Sequence, residues 1–146
     1  MRLETLGFEH IFDYTAGLAD WTANGLPTVG RFAQIAKVKE VLRSDVPTCR
    51  LAERVRDVAS RVESSGHNQC VVTSEEGIVL GRLRGAALKA DAEASVETVM
   101  EEGPTTIRPD IPLGEYVTHM RDRGVGSVLV TKSTGQLMGV LYRCAR

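Results

Sequence analysis

The sequence predicts an α+β fold made of two pseudo-symmetric repeats, each ordered helix–strand–helix–strand–strand and packed sheet to sheet. Two observations support this fold class. The segment EGIVLGRL at 76–83 recurs as TGQLMGVL at 134–141, so that Gly77 and Gly81 are followed 58 positions later by Gly135 and Gly139. When 38–85 is laid over 96–143 without a gap, apolar residues stay opposite apolar residues. Self-similarity at a fixed offset is typical of one structural unit built twice.

The first half of each repeat contains a short turn, a brief extended piece and a helix. VKEVL and VETVM are short amphipathic turns, and TCRL and TTIR are extended pieces beside prolines. Apolar residues at i, i+3, i+4 and i+7 then predict one amphipathic helix per repeat. These residues are Val55, Val58, Ala59 and Val62 in the first repeat, and Leu113, Tyr116, Val117 and Met120 in the second. Gly66 and Gly124 lie where a helix C-terminal residue with positive φ is expected.

The second half of each repeat is predicted to be a strand hairpin. QCVVT and SVLVT have the composition of buried strands, and IVLGRL and QLMGVL follow a glycine-containing turn as their partners. GAALKA predicts a terminal helix after the first hairpin. Gly81 and Gly139 weaken a strand unless a backbone or a ligand approaches closely there. A unit of about 50 residues is marginal alone, so the two copies are expected to bury their apolar sheet faces together.

The composition argues against several classes of function. The 146 residues carry a net charge of −1, which gives no general reason to expect nucleic acid or membrane as a partner. The arginine-rich stretch around 50–61 is expected to pair with itself, through Asp57 with Arg54 and Arg61. The three cysteines form no CxxC pair, and neither a signal peptide nor a membrane-spanning run is present, which indicates a cytoplasmic protein.

The sequence predicts no catalytic or metal-binding residues. His10, His67 and His119 show no metal-ligand spacing. The adjacent carboxylates at 75–76 and 101–102 point different ways, which does not suit paired acid–base work. There is no P-loop, no GxGxxG after a strand and no GxSxG. The chain is therefore expected not to be an enzyme.

The duplication, the order of elements and the final apolar-x-Gly-apolar-apolar strand resemble a tandem CBS-domain pair, named after cystathionine β-synthase. The resemblance covers about residues 37–146, with repeats at 38–90 and 91–146. It implies a regulatory module that binds an adenosine-type ligand between the repeats: AMP, ADP, ATP or S-adenosylmethionine, with no cofactor required. It also implies a homodimer.

Ligand-binding members of that family continue the last strand as Gly-apolar-apolar-(Thr/Ser)-x-x-Asp. The windows 81–87 and 139–145 place Arg84 and Tyr142 at the hydroxyl position, and Ala87 and Ala145 at the carboxylate position. The lost carboxylate is expected to weaken ribose binding by roughly ten- to a hundredfold. Arg84 is either a surface arginine or an anion-binding fork, and Tyr142 either packs or stacks on a base. The other positions that the family would use are Thr48, Cys49, His67, Asn68, Gln69, Thr106, Ile107, Val125, Gly126 and Ser127.

Residues 1–30 resemble the closing segment of a rhodanese domain, joined by a linker at 31–37, and predict a short αβα extension. The resemblance rests on Leu6, Gly7, Phe8, Ile11, Tyr14, Gly17, Trp21, Gly25, Leu26 and Pro27. No cysteine precedes Cys49, so this part cannot supply a persulfide. The segment is expected to be a remnant or the end of a longer product. Its apolar residues are expected to pack on the repeats or on a second subunit: Phe8, Ile11, Phe12, Tyr14, Trp21 and Leu26.

These observations leave three classes of function. The leading hypothesis is a non-catalytic regulatory module that senses a nucleotide or another small anion. The alternatives are a dimerisation scaffold without a ligand, or an accessory fragment of a rhodanese–CBS sulfurtransferase fusion. Nucleic-acid binding through the arginine-rich helix is the least favoured of all, and would show a steep salt dependence.

Overall fold

The structure, a computed structural model, describes residues 4–7, 9–10, 15–23, 26–27 and 35–143. Its N-terminal part contains a 3-10 turn at Glu4–Leu6 and helix α1 at Gly17–Ala23. The indole Nε1 of Trp21 donates a hydrogen bond to the carbonyl of Pro27 at 2.8 Å. Four residues of the predicted apolar patch lie outside the described residues: Phe8, Ile11, Phe12 and Tyr14.

The two repeats form the predicted elements in the predicted order, and the second contains one further short strand, β4, that was not predicted. The first contains a 3-10 turn at Val38–Glu40, β1 (Thr48–Cys49), α2 (Val55–Ser65), β2 (Gln69–Thr73), β3 (Val79–Arg84) and a 3-10 helix at Gly85–Lys89. The second contains α3 (Val96–Val99), β4 (Glu101–Glu102), β5 (Thr106–Ile107), α4 (Leu113–Asp122), β6 (Ser127–Thr131) and β7 (Leu137–Tyr142). The α+β fold class is confirmed, and the predicted helix after the first hairpin is of the 3-10 type.

The strands of the two sheets pair in equivalent registers. Their strand orders are β1-β2-β3-β4 and β5-β6-β7, with a parallel first pair and an antiparallel hairpin in each. Every paired residue of the first hairpin has its counterpart 58 positions later, and both hairpins shift register at the same place, after Val72 and after Val130. Gly66 and Gly124 have φ of 72° and 65°, as expected at these helix ends.

Three clusters of apolar residues hold the repeats together. The buried stripe of α2 packs on β2 and β3 in one core, and Met120 of α4 packs on β6 and β7 in the other. The third cluster joins the two sheets face to face through Val71, Leu129 and Val140, all of them fully buried. Sheet-to-sheet packing of the two copies is therefore confirmed.

The opening segments of the two repeats are exchanged. Val38 is buried in the core of the second repeat, and Val96 is buried in the core of the first. The chain around Arg43 pairs with β7 through two hydrogen bonds with Val140, both of 2.9 Å, while β4 pairs with β3. Gly139 lies at one of these approaches, so a backbone, and not a ligand, explains why a glycine stands in this strand. The predicted domain boundaries stay predictions.

The basic residues of 50–61 pair with partners other than those predicted. Arg61 forms an ion pair with Glu53 at 2.7 Å instead of with Asp57. Arg54 and Arg56 both form ion pairs with Glu93, which follows the β2–β3 hairpin in the chain. The predicted pairing of Asp57 with Arg54 and Arg61 is therefore wrong, since the ion pair of Asp57 is with Arg56.

Two negative findings apply to the part of the chain that the structure describes. None of its helices is long and apolar enough to cross a membrane. No group of three or more His, Cys, Asp or Glu side chains within those residues is arranged to hold a metal ion.

Candidate functional site

The two repeats meet about a pseudo-twofold axis that runs between their sheets. The amide of Val79 donates to the carbonyl of Gly135 at 3.1 Å, and the equivalent amide of Leu137 donates to Gly77 at 3.0 Å. Because the axis relates the repeats, it creates two equivalent contact regions. We name seam A the region around Arg43, Asp45, His67, Gln69 and Tyr142. Seam B is the region around the residues equivalent to these: Glu101, Gly103, Val125, Ser127 and Arg84.

Seam A is filled by its own polar side chains. The imidazole of His67 is fully buried, and its Nδ1 is hydrogen-bonded to the hydroxyl of Tyr142 at 2.9 Å. The amide Nε2 of Gln69 donates to the same hydroxyl and to Oγ of Ser127, each at 3.2 Å. The ring of Tyr142 packs beside that of His67, with ring centroids 5.8 Å apart, so this side chain has a packing role at the strand end.

The outer edge of seam A carries an ion pair. Oδ1 of Asp45 lies 3.2 Å from Nε2 of His67, and the carboxylate accepts hydrogen bonds from Arg43 at 2.7 and 3.2 Å. The hydrogen bond from Arg43 lowers the pKa of Asp45 to about 2, with a smaller contribution from His67. Within the described residues, Oε1 of Gln69 is a buried acceptor without a hydrogen-bond partner.

Seam B is built from arginines and one carboxylate. Glu101 accepts hydrogen bonds from Nε and Nη2 of Arg82, both at 3.1 Å, and from the same two atoms of Arg84 at 3.1 and 3.5 Å. The hydrogen bonds from Arg82 lower the pKa of Glu101, and the charge of Arg84 adds to this effect. The side chain of Arg82 is 9% exposed, whereas those of Arg84 and Glu101 are about half exposed.

An open pocket of about 500 Å³ lies in seam B, which is within the usual size of small-molecule sites. It is bounded by the end of β3, the C-terminal turn of α4 and the start of β6. Its lining residues are Arg82, Arg84, Thr105, Tyr116, His119, Arg123, Gly124, Val125, Gly126, Ser127 and Val128. Three of these side chains are arginines and none is acidic, so the pocket suits an anion with an aromatic or apolar portion.

The basic character of this pocket has two origins. His119 and Arg123 lie in and just after the last turn of α4, where cations are commonly found because they complement the helix dipole. Arg82 and Arg84 come from β3 of the other repeat, so the helix end does not account for them. Guanidinium groups present a fork that matches phosphate or carboxylate in two parallel hydrogen bonds. Seam B thus combines donors from both repeats around one cavity.

The predicted site residues are distributed over several places. Arg84, Val125, Gly126 and Ser127 line the pocket of seam B, whereas His67, Gln69 and Tyr142 close seam A. Asn68 borders a separate groove beside α2, and Thr106 borders a polar cavity next to the β6–β7 turn. Thr48 is exposed, and its carbonyl accepts a hydrogen bond from Arg61. Cys49 and Ile107 are buried in the two hydrophobic cores and do not line either seam.

Sequence reasoning missed most of the charged residues of seam B. Arg82 and Glu101 were not among the candidates, and neither were Tyr116, His119 and Arg123. One signal was available: the offset of 58 pairs Glu101 with Arg43, so the two repeats carry opposite charges at one equivalent position. Such a difference within an otherwise matched repeat marks a place where the two contact regions differ in chemistry.

Known proteins are similar to the second repeat and to most of the chain. Residues 96–144 match the family model of the CBS domain. The uncharacterized protein YlbB of Bacillus subtilis is 24% identical over 115 residues, which cover 73% of this chain and 77% of that protein. This relative carries no described activity.

Several solved structures share the fold. The CBS domains of a transcriptional regulator from Streptococcus pneumoniae align with a TM-score of 0.67 and 18% identity, covering 75% of this chain and 95% of theirs. The CBS-domain pair of protein MJ0100, in complex with 5′-methylthioadenosine and S-adenosyl-L-methionine, gives a TM-score of 0.65 at 18% identity and covers 75% and 90%. A CBS-domain protein of Pyrobaculum aerophilum complexed with AMP gives 0.63 at 17% identity and covers 73% and 87%. Residues 96–144 therefore match the CBS-domain model, and the two repeats together share the fold of solved CBS-domain pairs.

Proposed function

We propose that this protein is a non-catalytic regulatory module that binds a small anionic ligand in the pocket of seam B. The observation that supports this proposal is the convergence of Arg82 and Arg84 from one repeat with Arg123 from the other around a cavity of about 500 Å³. A ligand held between the repeats regulates the module by binding one arrangement of the two repeats more tightly than another.

An adenosine-type nucleotide is the ligand that we favour, with AMP, ADP, ATP and S-adenosylmethionine as the candidates. The support is that two proteins of the same fold were solved with AMP or with S-adenosylmethionine. Tyr116 and His119 offer ring faces in the same pocket, and these two rings lie with centroids 5.6 Å apart. Rings of this kind suit stacking on a base. The arginines would bind the phosphate of a nucleotide or the carboxylate of S-adenosylmethionine.

The proposal includes one ligand per chain. Seam A has its equivalent volume occupied by Tyr142, which is hydrogen-bonded to His67 and Gln69. A ligand at seam A would have to break both hydrogen bonds and leave the buried imidazole without that partner, which is costly. We therefore assign binding to seam B alone.

Isothermal titration calorimetry and thermal unfolding with the four candidate nucleotides test this function. A ligand at a hundred times its dissociation constant should stabilise the fold by about 2.7 kcal/mol, with a stoichiometry of one per chain. Arg123→Met should weaken binding at least tenfold because it removes a pocket cation. Arg121→Met is the matched control, since it removes the same charge from an exposed residue of the same helix that does not line the pocket.

The results separate the competing functions. If no nucleotide binds or stabilises the protein, the ligand-sensing function is refuted and the scaffold alternative is favoured. If Arg121→Met weakens binding as much as Arg123→Met, the ligand is attracted by general charge and not held in the pocket. A stoichiometry of two would refute the assignment to seam B alone.

We also propose that the module acts as a homodimer. The support is the homodimer that the resemblance to tandem CBS-domain pairs implies. An open groove of about 620 Å³ between α2 and the segment Gly85–Lys89 offers a surface for it, lined by apolar residues such as Ala59 and Leu88 and by charged residues such as Glu63 and Lys89. Light scattering on the eluting protein measures the mass directly. A mass equal to one chain at micromolar concentration would refute the dimer without affecting the pocket.

A further inference from the structure

Glu101 is bound to two of the arginines that line the pocket of seam B. Both of its carboxylate oxygens accept hydrogen bonds from the Nε and Nη2 edges of two guanidinium groups, at 3.1–3.5 Å. These edges form the fork that binds a phosphate in two parallel hydrogen bonds. The carboxylate therefore satisfies the same donors that a phosphate would need.

We propose that Glu101 is an internal competitor for the ligand's phosphate, and that a phosphate group with two or more negative charges binds seam B by displacing this carboxylate from Arg82 and Arg84. The inference rests on the proposed function, because it concerns the same pocket. It assigns the phosphate end of the ligand to the β3 arginines, and it makes Glu101 the residue that determines how much anionic charge a ligand must carry.

Replacement of the Glu101 carboxylate by a phosphate keeps the charges of the arginines balanced. Arg82 is 9% exposed at its side chain, and a buried guanidinium without a counter-charge would be strongly destabilising. A phosphate supplies such a counter-charge when Glu101 leaves. The carboxylate itself can leave readily, because its side chain is 47% exposed and can turn into solvent. A single anionic charge only replaces what Glu101 already provides, so a group with two or more charges is needed for a net gain.

Displacement of Glu101 also affects how the repeats are joined. Glu101 belongs to β4, which pairs with β3 over just two positions, Gly81 with Glu102 and Arg82 with Glu101. This is the opening segment that the second repeat contributes to the first sheet. Loss of the ion pairs weakens that attachment, so a phosphate in the pocket is coupled to the arrangement of the two repeats.

Calorimetric titration with sodium pyrophosphate, ADP and adenosine tests the competition. Glu101→Gln should bind pyrophosphate and ADP at least tenfold more tightly than the wild type does, with adenosine affinity changed less than twofold. Glu102→Gln is the matched control, because it removes the same charge from the neighbouring exposed residue of β4 and should change pyrophosphate affinity less than threefold. The pyrophosphate and ADP arms together distinguish a free phosphate ligand from a nucleotide.

Each further result has a definite consequence. If Glu101→Gln binds pyrophosphate within twofold of the wild type, or if Glu102→Gln matches it, the competition is refuted. If ADP then still binds in a manner sensitive to Arg123→Met, the proposed function survives that failure. If neither the wild type nor any variant binds any of the three probes, both proposals fail.

A measurement on the wild type covers the case in which Glu101→Gln does not fold. The side-chain Nε–Hε signals of Arg82 and Arg84 can be followed by NMR and assigned with Arg84→Lys. Saturating pyrophosphate should shift both signals, because their hydrogen-bond acceptor changes from carboxylate to phosphate. Signals that stay in place would refute the displacement.

Discussion

Replacement of Gly139 by alanine tests the exchange of opening segments on which both seams depend. An added Cβ at this position would lie 2.4 Å from the carbonyl oxygen of Arg43 and 2.5 Å from Cδ1 of Leu42. The leucine side chain can rotate away, but the carbonyl belongs to backbone that is hydrogen-bonded to Val140 in both directions. The segment must therefore move off β7 to admit one methyl group.

The size of the effect can be worked from these contacts. Loss of the two hydrogen bonds between Arg43 and Val140 costs about 1 kcal/mol each, and overpacking adds about 1–3 kcal/mol. Gly139 does not have a positive φ, so alanine regains about 0.4–1 kcal/mol by restricting the unfolded chain. The net loss of unfolding free energy is about 2–5 kcal/mol, a large share of the 5–15 kcal/mol that is usual for a domain.

The equivalent substitution in the other repeat is the natural control. At Gly81 the nearest atom to an added Cβ is the sulfur of Met100, at 2.7 Å, followed by the carbonyl of Glu101 at 3.0 Å. A thioether moves easily, so Gly81→Ala should cost no more than about 1.5 kcal/mol. Urea unfolding followed by circular dichroism measures both variants. A Gly139→Ala protein within 0.5 kcal/mol of the wild type, or a Gly81→Ala protein that loses as much as Gly139→Ala, would refute the reasoning.

Two further predictions concern seam A. Tyr142→Phe should lower the unfolding free energy by about 1–3 kcal/mol in urea titrations, because it leaves Nδ1 of His67 and one donor of Gln69 without their shared hydroxyl; an unchanged midpoint would contradict the closed seam. Asp45→Asn should flatten the acid sensitivity of stability, measured as melting temperature against pH. The pKa of Asp45 is lowered to about 2 by Arg43, below an unfolded value of about 3.9, so its stabilising charge is complete above pH 4 and is lost as the pH falls through 2. Equal slopes for wild type and variant over this range would contradict that assignment.

Much of the fold could be predicted because the two copies of the repeat must bury equivalent apolar positions in equivalent elements. The offset of 58 residues fixed which positions are apolar, and the strands then had to pair in equivalent registers to bury them. Exchange of the opening segments could not be predicted in this way. Val38 and Val96 each require a buried environment, but their spacing does not say which of two similar cores provides it.

The charged contacts were harder to predict for a related reason. Spacing rules within a helix consider only neighbours three or four residues away, and so they suggested Asp57 as the partner of Arg61. In the structure, Arg61 forms an ion pair with Glu53 instead. Arg54 forms one with Glu93, which is 39 residues away in the chain. Such partners depend on the tertiary fold. For the same reason, the sequence did not predict the ion pair of Glu101 with Arg82, which forms because β4 pairs with β3.

The two seams differ in chemistry although their backbones match, and this difference bears on how a paired module can respond to a ligand. In seam A, His67, Gln69 and Tyr142 form a buried network of hydrogen bonds that joins the two repeats. In seam B, the polar groups are charged and lie around an open pocket, with Arg84 and Glu101 about half exposed and Arg82 buried. A module held firmly at one seam can change its arrangement mainly by opening or closing the other.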